Sequence, residues 1–323
     1  MGDQGKIDVH HHVYPPAFTE ALHRNGGDPS GWYIPPWTVE LDYELCSEIG
    51  ISSAILSCTA PGPGIEKGPV SAAKLARACN EFCVSVRDRE PKRYGFFACV
   101  PDLENTTSVL KELSYALDHL KADGVILLTS YGSPTPKFLG HPSFTQIWDA
   151  LNSRKAVVFI HPTHAAGSAL VSNYLPQPAF DYPHETGRTA IDLILSSTLQ
   201  RHAKDCKIIL SHAGGTLPYL IDRVAGLMPH APADINTSMS RDEILEQARR
   251  FYFDTALSSS PMHLAALKAL LGQDGGRKML FGSDFPNAPM ESIQYFTQQL
   301  EGSGGLLVDG LRENALALFP RLR

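Results

Sequence analysis

Short apolar runs alternate with stretches whose apolar residues recur at helical spacing, a pattern that predicts βαβ units rather than a sandwich of antiparallel strands. Eight runs read as strands: KIDVH (6–10), SAILS (53–57), YGFFACV (94–100), GVILLT (124–129), VVFIH (157–161), KIILSH (207–212), FYFDT (251–255) and KMLFGSD (278–284). Ala72, Leu75, Ala76, Cys79, Phe82, Cys83 and Val86 follow the spacing of an amphipathic helix, as do Ile191, Ile194, Leu195 and Leu199 after the fifth strand. Segments 107–121, 143–153, 216–228, 261–271 and 306–319 also predict helices. Eight strands, nearly all followed by a helix, close most simply as one α/β domain over residues 1–323, a (β/α)8 TIM-type barrel. A two-domain doubly wound protein is the alternative, but the first strand lacks the G-x-G-x-x-G that would support dinucleotide binding.

Two intervals are long. Residues 13–52 include GGDPSGWYIPPW (26–37), and residues 162–184 are rich in Pro. Both leave the C-terminal ends of strands, where barrel active sites are built from loops, so they are expected to roof a pocket at the mouth.

Composition narrows the function. The 323 residues carry 28 Lys+Arg against 34 Asp+Glu, a net charge of -6 with no basic block, which argues against an electrostatic nucleic-acid binder. Hydrophobic residues are 43% and charged residues 19%, enough apolar material for a large core. The N-terminus has no apolar signal region, and no apolar run reaches the roughly 18 residues that would span a bilayer. With six cysteines scattered in apolar segments, the chain reads as a reduced, cytoplasmic protein with no membrane partner. Cys79 and Cys83, four apart on one helix, suit a metal, but four-ligand zinc sites usually bring a second pair, so they read as core.

The chemistry collects at strand ends. Strand one ends in His10-His11-His12, strand five in His161, strand six in His212 and strand eight in Asp284. Each has an ordinary explanation alone: a histidine satisfied in the core, a strand terminus before Pro162, a turn-forming aspartate before Pro286. Together they fall at one barrel mouth. Strand alternation sends His10 and His12 one way and His11 the other. Neutral imidazoles and a carboxylate hold Zn²⁺ or Mn²⁺ while leaving a position open, so His10, His12, His161 and Asp284 form the candidate ligand set. His212, in LSHAGG, then lies close by without being needed as a ligand, placed to move protons, and Gly214 and Gly215 let the backbone turn sharply beyond it.

KIDVHHHVYP, FIHPTH, ILSHAGGTLPYLIDR, FYFDTA and LFGSDFP, with the ending LRENALALF, together resemble the decarboxylase branch of the amidohydrolase superfamily, typified by aminocarboxymuconate-semialdehyde, γ-resorcylate and salicylate decarboxylases. The motifs run in order over almost the whole chain, and within the branch they are similar to the fungal 6-methylsalicylate decarboxylases. The resemblance implies one divalent metal on His10, His12, His161 and Asp284, with His212 as the acid/base residue. It also implies a homodimer in which Arg223, eleven residues after His212, reaches the neighbouring subunit's substrate.

Two departures sharpen it. The semialdehyde decarboxylase grips substrate carboxylate with an arginine in the loop after strand one, and GWYIPPW (31–37) has none, which favours an aromatic substrate. GVILLT lacks the strand-four lysine of many hydrolytic relatives, which argues against a binuclear centre.

The expected reaction is loss of CO₂ from a hydroxybenzoate, 6-methylsalicylate giving 3-methylphenol in a polyketide pathway. Zn²⁺ is the expected metal, with Mn²⁺ or Mg²⁺ as alternatives. The proton comes from His212 or Asp284, between which the sequence does not choose. Trp32 and Trp37 are candidates to close over the ring, with Arg223, Trp37 and His164 as substrate contacts. A metal-dependent hydrolase of a lactone or amide is the competing reading. A non-catalytic binding barrel is the third.

Overall fold

A computed structural model describes residues 5–132, 134–164, 171–235, 238–303 and 310–323. Eight parallel strands follow one another in a single sheet: β1 (Lys6–Val13), β2 (Ile51–Cys58), β3 (Tyr94–Ala98), β4 (Gly124–Leu128), β5 (Val157–His161), β6 (Lys207–Leu210), β7 (Tyr252–Asp254) and β8 (Met279–Leu280). The ring closes where β8 returns to β1: Val9 N–H donates to Phe281 O at 3.0 Å and Asp284 N–H to His10 O at 2.8 Å. The architecture is the expected (β/α)8 barrel.

Side-chain parity builds the two layers. Ile7, Val9, Ile55, Phe97, Ile126, Phe159, Ile209 and Leu280 belong to one buried cluster, and Phe97 and Phe159 stack at 5.4 Å inside it. Residues of the other parity, such as Leu56, Phe96, Leu127, Ile160 and Leu210, join a second cluster with the surrounding helices. Each fully buried Phe or Ile contributes about 1.5–3 kcal/mol by leaving water, so both faces of every strand are held. Phe319, beyond helix Leu311–Leu318, packs on Phe97 and covers the barrel from below.

Three elements differ from the pattern in the sequence. The eighth strand keeps only Met279–Leu280 of the predicted 278–284, because Gly282 passes so close to His10 that a Cβ there would lie 2.8 Å from the His10 Cβ. The stretch between β1 and β2 is not all loop: it holds helices Pro16–Arg24 and Val39–Ile49, the second capped by Thr38 and ended by Gly50 at φ 73°. A helix begins at Gln177, inside the second long interval, of which 165–170 lie outside the described residues. Of the predicted helix 306–319, residues 306–309 also lie outside them. Among the described residues no helix is long and apolar enough to cross a membrane.

Candidate active site

The parity of β1 changes partway along. Between Asp8 and His11 the strand advances three residues while β2 advances two, from Ala54 to Leu56, which marks a bulge. Ile7 and Val9 belong to the inner cluster, and past the bulge His10 and His12 take the inward positions, so Asp8 and His11 both face outward. There the His11 ring bridges two buried carboxylates, Asp8 Oδ2 at 2.9 Å and Asp42 Oδ2 at 2.7 Å. Burial opposes charge on this imidazole, but Asp42 and then Asp8 outweigh it and push its pKa up to about 10. The ion-paired network ties the end of β1 to helix Val39–Ile49.

Inside, the ligand atoms of His10, His12, His161 and Asp284 lie within 4.8 Å of one another, and all four residues are buried. His10 Nε2 and His12 Nε2 are 3.0 Å apart, and each is 3.3 Å from Asp284 Oδ1. Burial opposes charge on His10, but Asp254 and Asp284 more than offset it and push its pKa up to about 10. Burial holds His12 and His161 below the ordinary range, whereas for Asp284 the cationic His10 outweighs burial and keeps the carboxyl low. The cluster therefore attracts positive charge in the middle of a protein. Its three imidazoles and one carboxylate are the donor set of a divalent cation with a coordination position left open, so the residues fit such an ion.

Behind this set stands Asp254, the last residue of β7. Its Oδ2 lies 2.9 Å from His10 Nδ1, which leaves His10 Nε2 as the inward lone pair, and its Oδ1 accepts from the N–H groups of His212 and Ala256, both at 3.0 Å. One buried carboxylate thus orients a ligand and fixes the backbone of the neighbouring histidine. Ser57 Oγ, 3.0 Å from His12 Nδ1, does the same for the second ligand.

His212 lies outside the four-residue set. Its Nδ1–H donates to Ala256 O at 3.0 Å, and its ring centre is 4.9 Å from that of His10. His212, Ala213 and Asp284 have φ of 53°, 56° and 64°, left-handed backbone that costs a non-glycine residue on the order of 1 kcal/mol or more. Gly215 follows at φ 58°, where a Cβ would stand 1.9 Å from the Pro183 carbonyl oxygen, so the turn after His212 accepts no side chain.

The site opens into a cavity of about 690 Å³, lined by His161, His212 and Asp284 together with Trp32, Tyr182, Leu257, Asn287 and Phe296. The volume is that of a small-molecule site.

The amidohydrolase family model matches residues 7–321. The chain belongs to the amidohydrolase family. It is 56% identical to the 6-methylsalicylic acid decarboxylase acuB of Aspergillus aculeatus over 98% of this chain and 97% of that one. It is 54% identical to the 6-methylsalicylic acid decarboxylase of Penicillium expansum, again over 98% and 97%. Among solved structures, a dihydroxybenzoic acid decarboxylase from Polaromonas sp. JS666, with bound manganese and 2-nitroresorcinol, superposes with a TM-score of 0.78 at 21% identity, covering 99% of this chain and 98% of that one.

Not every residue singled out in the amidohydrolase sequence reaches the cavity. Trp37 is predicted to contact substrate, but its indole packs on Phe82 at 5.8 Å and is not part of the cavity lining; Trp32 is, tied down by its Nε1–H to Asn287 O at 3.0 Å. The Pro-Pro pair between the two tryptophans carries Trp37 onto helix Pro69–Arg89 instead. His164 sits half-buried behind the wall, facing Asp28, which lines the cavity. Arg223 is exposed on helix Leu217–Leu227, and Asp222 beside it pairs with Arg241 rather than with it.

Asp8, Asp254 and Asn287 are the residues that sequence reasoning missed. An aspartate closing an apolar run, as in FYFDT, was the available signal for Asp254. Its replacement by asparagine is expected to weaken metal binding about 10–100-fold, the usual scale for a residue that orients a ligand, as read by competition with a chelator.

Proposed function

We propose that this amidohydrolase is a metal-dependent carboxy-lyase that decarboxylates a hydroxybenzoate without oxidation, 6-methylsalicylate giving 3-methylphenol and CO₂. The observation that carries the reading is a four-donor cation site, two of whose members, His161 and Asp284, open together with a fourth histidine, His212, into a partly aromatic cavity of small-molecule size. The identities of 56% and 54% to proteins named for this reaction support the substrate.

His10, His12, His161 and Asp284 would hold one divalent ion, Zn²⁺ in our reading, with Mn²⁺ supported by the manganese in the Polaromonas enzyme. When bound, the ion supplies Lewis-acid polarisation of substrate oxygens. The chain's own residues do the rest. Cleavage of the ring–carboxylate bond without prior protonation would leave an aryl anion, so a proton must first reach the carbon that bears the carboxylate. With the ortho hydroxyl proton passed to solvent, the phenolate oxygen pushes electron density to that carbon, the protonated ring is a dienone, and the oxygen recovers its proton when the ring is restored. With a second proton on its ring, His212 delivers that proton from Nε2, since its Nδ1–H stays on Ala256 O, while Asp284 faces two histidine nitrogens that keep it ionised. The bond to carboxylate then breaks, its electron pair restores the aromatic ring, and CO₂ leaves. One proton is taken up per turnover. Trp32 and Phe296 offer the ring its apolar walls.

The reading is tested by incubating metal-loaded protein with 6-methylsalicylate, salicylate, 2,6-dihydroxybenzoate and orsellinate while following CO₂ and phenol. Stoichiometric 3-methylphenol and CO₂ from the first support it, and no CO₂ from any of the four overturns it.

The active form in this reading is a cytoplasmic homodimer, one barrel domain per chain, with Asp28 and Trp32 of segment 13–52 and Tyr182 of the described part of segment 162–184 lining the cavity at the mouth. Tyr219, Arg223 and Leu227 share one exposed face of helix Leu217–Leu227, beside the exposed Met262. A carboxylate bound across such an interface suits the planar fork of Arg223. Mixing inactive Arg223→Ala and His12→Ala proteins under exchange conditions is expected to restore one working site per mixed dimer. No recovery despite demonstrated exchange would place Arg223 outside the partner's site.

A further inference from the structure

A second cluster of donors lies apart from the first. Cys58 ends β2, Cys99 follows β3, and Cys79 meets both from helix Pro69–Arg89; their three sulfurs lie within 4.8 Å of one another and all are buried. In the sequence Cys79 pairs with Cys83, one helical turn away. In the fold the two part company, since Cys83 packs in the outer cluster while Cys79 turns to the strand ends.

The spacing is that of a coordinated set. Cys58 Sγ–H donates to Cys79 Sγ at 3.9 Å. With metal–sulfur bonds of about 2.3 Å, two sulfurs of a tetrahedral zinc site stand about 3.8 Å apart and those of a trigonal one about 4.0 Å. One corner is fixed in place. The Asn80 side chain clamps the Cys99 backbone from both sides, its Nδ2 donating to Cys99 O and its Oδ1 accepting from Cys99 N–H, each at 2.9 Å. Asn80 is held in turn by Glu112, which Arg77 grips at 2.8 Å. A recess of about 20 Å³ borders Cys58 and Cys99, against Ile126, Leu128 and Tyr131. Hydrogen bonds from Cys58 and then Cys99 hold the Cys79 thiol below the usual range, so the cluster already contains one sulfur disposed to ionise.

We propose that Cys58, Cys79 and Cys99 form a second metal site, for one thiophilic divalent cation of the zinc and cadmium class, distinct from the histidine–aspartate centre. Soft thiolates select such ions. On binding, two thiols each lose a proton and form a metal–sulfur bond, and the third sulfur binds as a neutral donor. The ion with two thiolates carries no net charge, which a buried apolar site tolerates without a counter-ion.

The probe is Cd²⁺ added to the protein with its histidine–aspartate centre already loaded. One further cadmium per chain is expected, with a near-ultraviolet thiolate-to-cadmium charge-transfer band and proton release on binding. The histidine–aspartate centre has no sulfur, so exchange there is silent in the band. Cys79→Ser is expected to abolish the band and the extra ion, and Cys83→Ser to keep both. Should Cys79→Ser fail to fold, Cys58→Ser carries the same test. No band in the wild type, a band surviving in the folded cluster variant, or its loss in Cys83→Ser would each overturn the proposal.

Discussion

Replacing His12 with alanine is expected to give a folded barrel that retains no metal and has no measurable turnover. His12 Nε2 stands 3.0 Å from His10 Nε2 and 3.3 Å from Asp284 Oδ1, at the centre of the donor set. Without it three donors remain, fewer than the four protein ligands the site otherwise offers to one ion. Folding should survive, because the inner cluster from Ile7 to Leu280 and the aromatic stack of Phe97 on Phe159 lie outside the donor set. The lost imidazole also relieves its own desolvation, since burial holds His12 below the ordinary range. Metal per chain by elemental analysis, near-ultraviolet circular dichroism and a CO₂ assay decide the matter together. Full occupancy in the folded variant would remove His12 from the ligand set.

Much of this was readable from apolar spacing and strand-end chemistry. Strands buried on both faces are near-continuous apolar runs, so VVFIH and KIILSH announced themselves, and the barrel followed from their number and order. The site was legible for the same reason, because strand ends converge at one mouth wherever loops wander. What stayed hidden depends on pairing. Read from Ile7 and Val9, simple alternation would turn His11 inward and His10 and His12 out; the bulge after Asp8 reverses that, and a bulge has no mark in the string KIDVHHHV. The same bulge explains why Asp8 reaches His11 three residues away. The place of Trp37 is open in the sequence because an indole in a proline-rich loop packs equally well on a substrate or on a neighbouring helix, and here it meets Phe82. The approach of Cys58 and Cys99 to Cys79 has no mark in the sequence, since helical spacing says nothing of what two strand ends bring to the helix.

Replacing His212 with alanine is expected to leave the metal bound and slow turnover by roughly 10²–10⁴-fold, the scale of a lost general acid. The ring is the neighbour of the donor set and not a member of it, with its Nδ1–H tied to Ala256 O at 3.0 Å and its backbone N–H to Asp254 Oδ1 at 3.0 Å. The first bond fixes the tautomer and aims Nε2 at the cavity; the second is made by the peptide, so alanine keeps it and Asp254 continues to orient His10. Metal content should therefore be unchanged. Alanine is found in the same left-handed backbone at Ala213, φ 56°, so the variant's backbone has a precedent next door. If His212 only packed the mouth, the variant would lose stability while its folded fraction kept its turnover. If it supplies the proton, kcat falls with KM little changed. Loss of metal together with activity would instead make His212 a fifth ligand and return the choice of proton donor to Asp284.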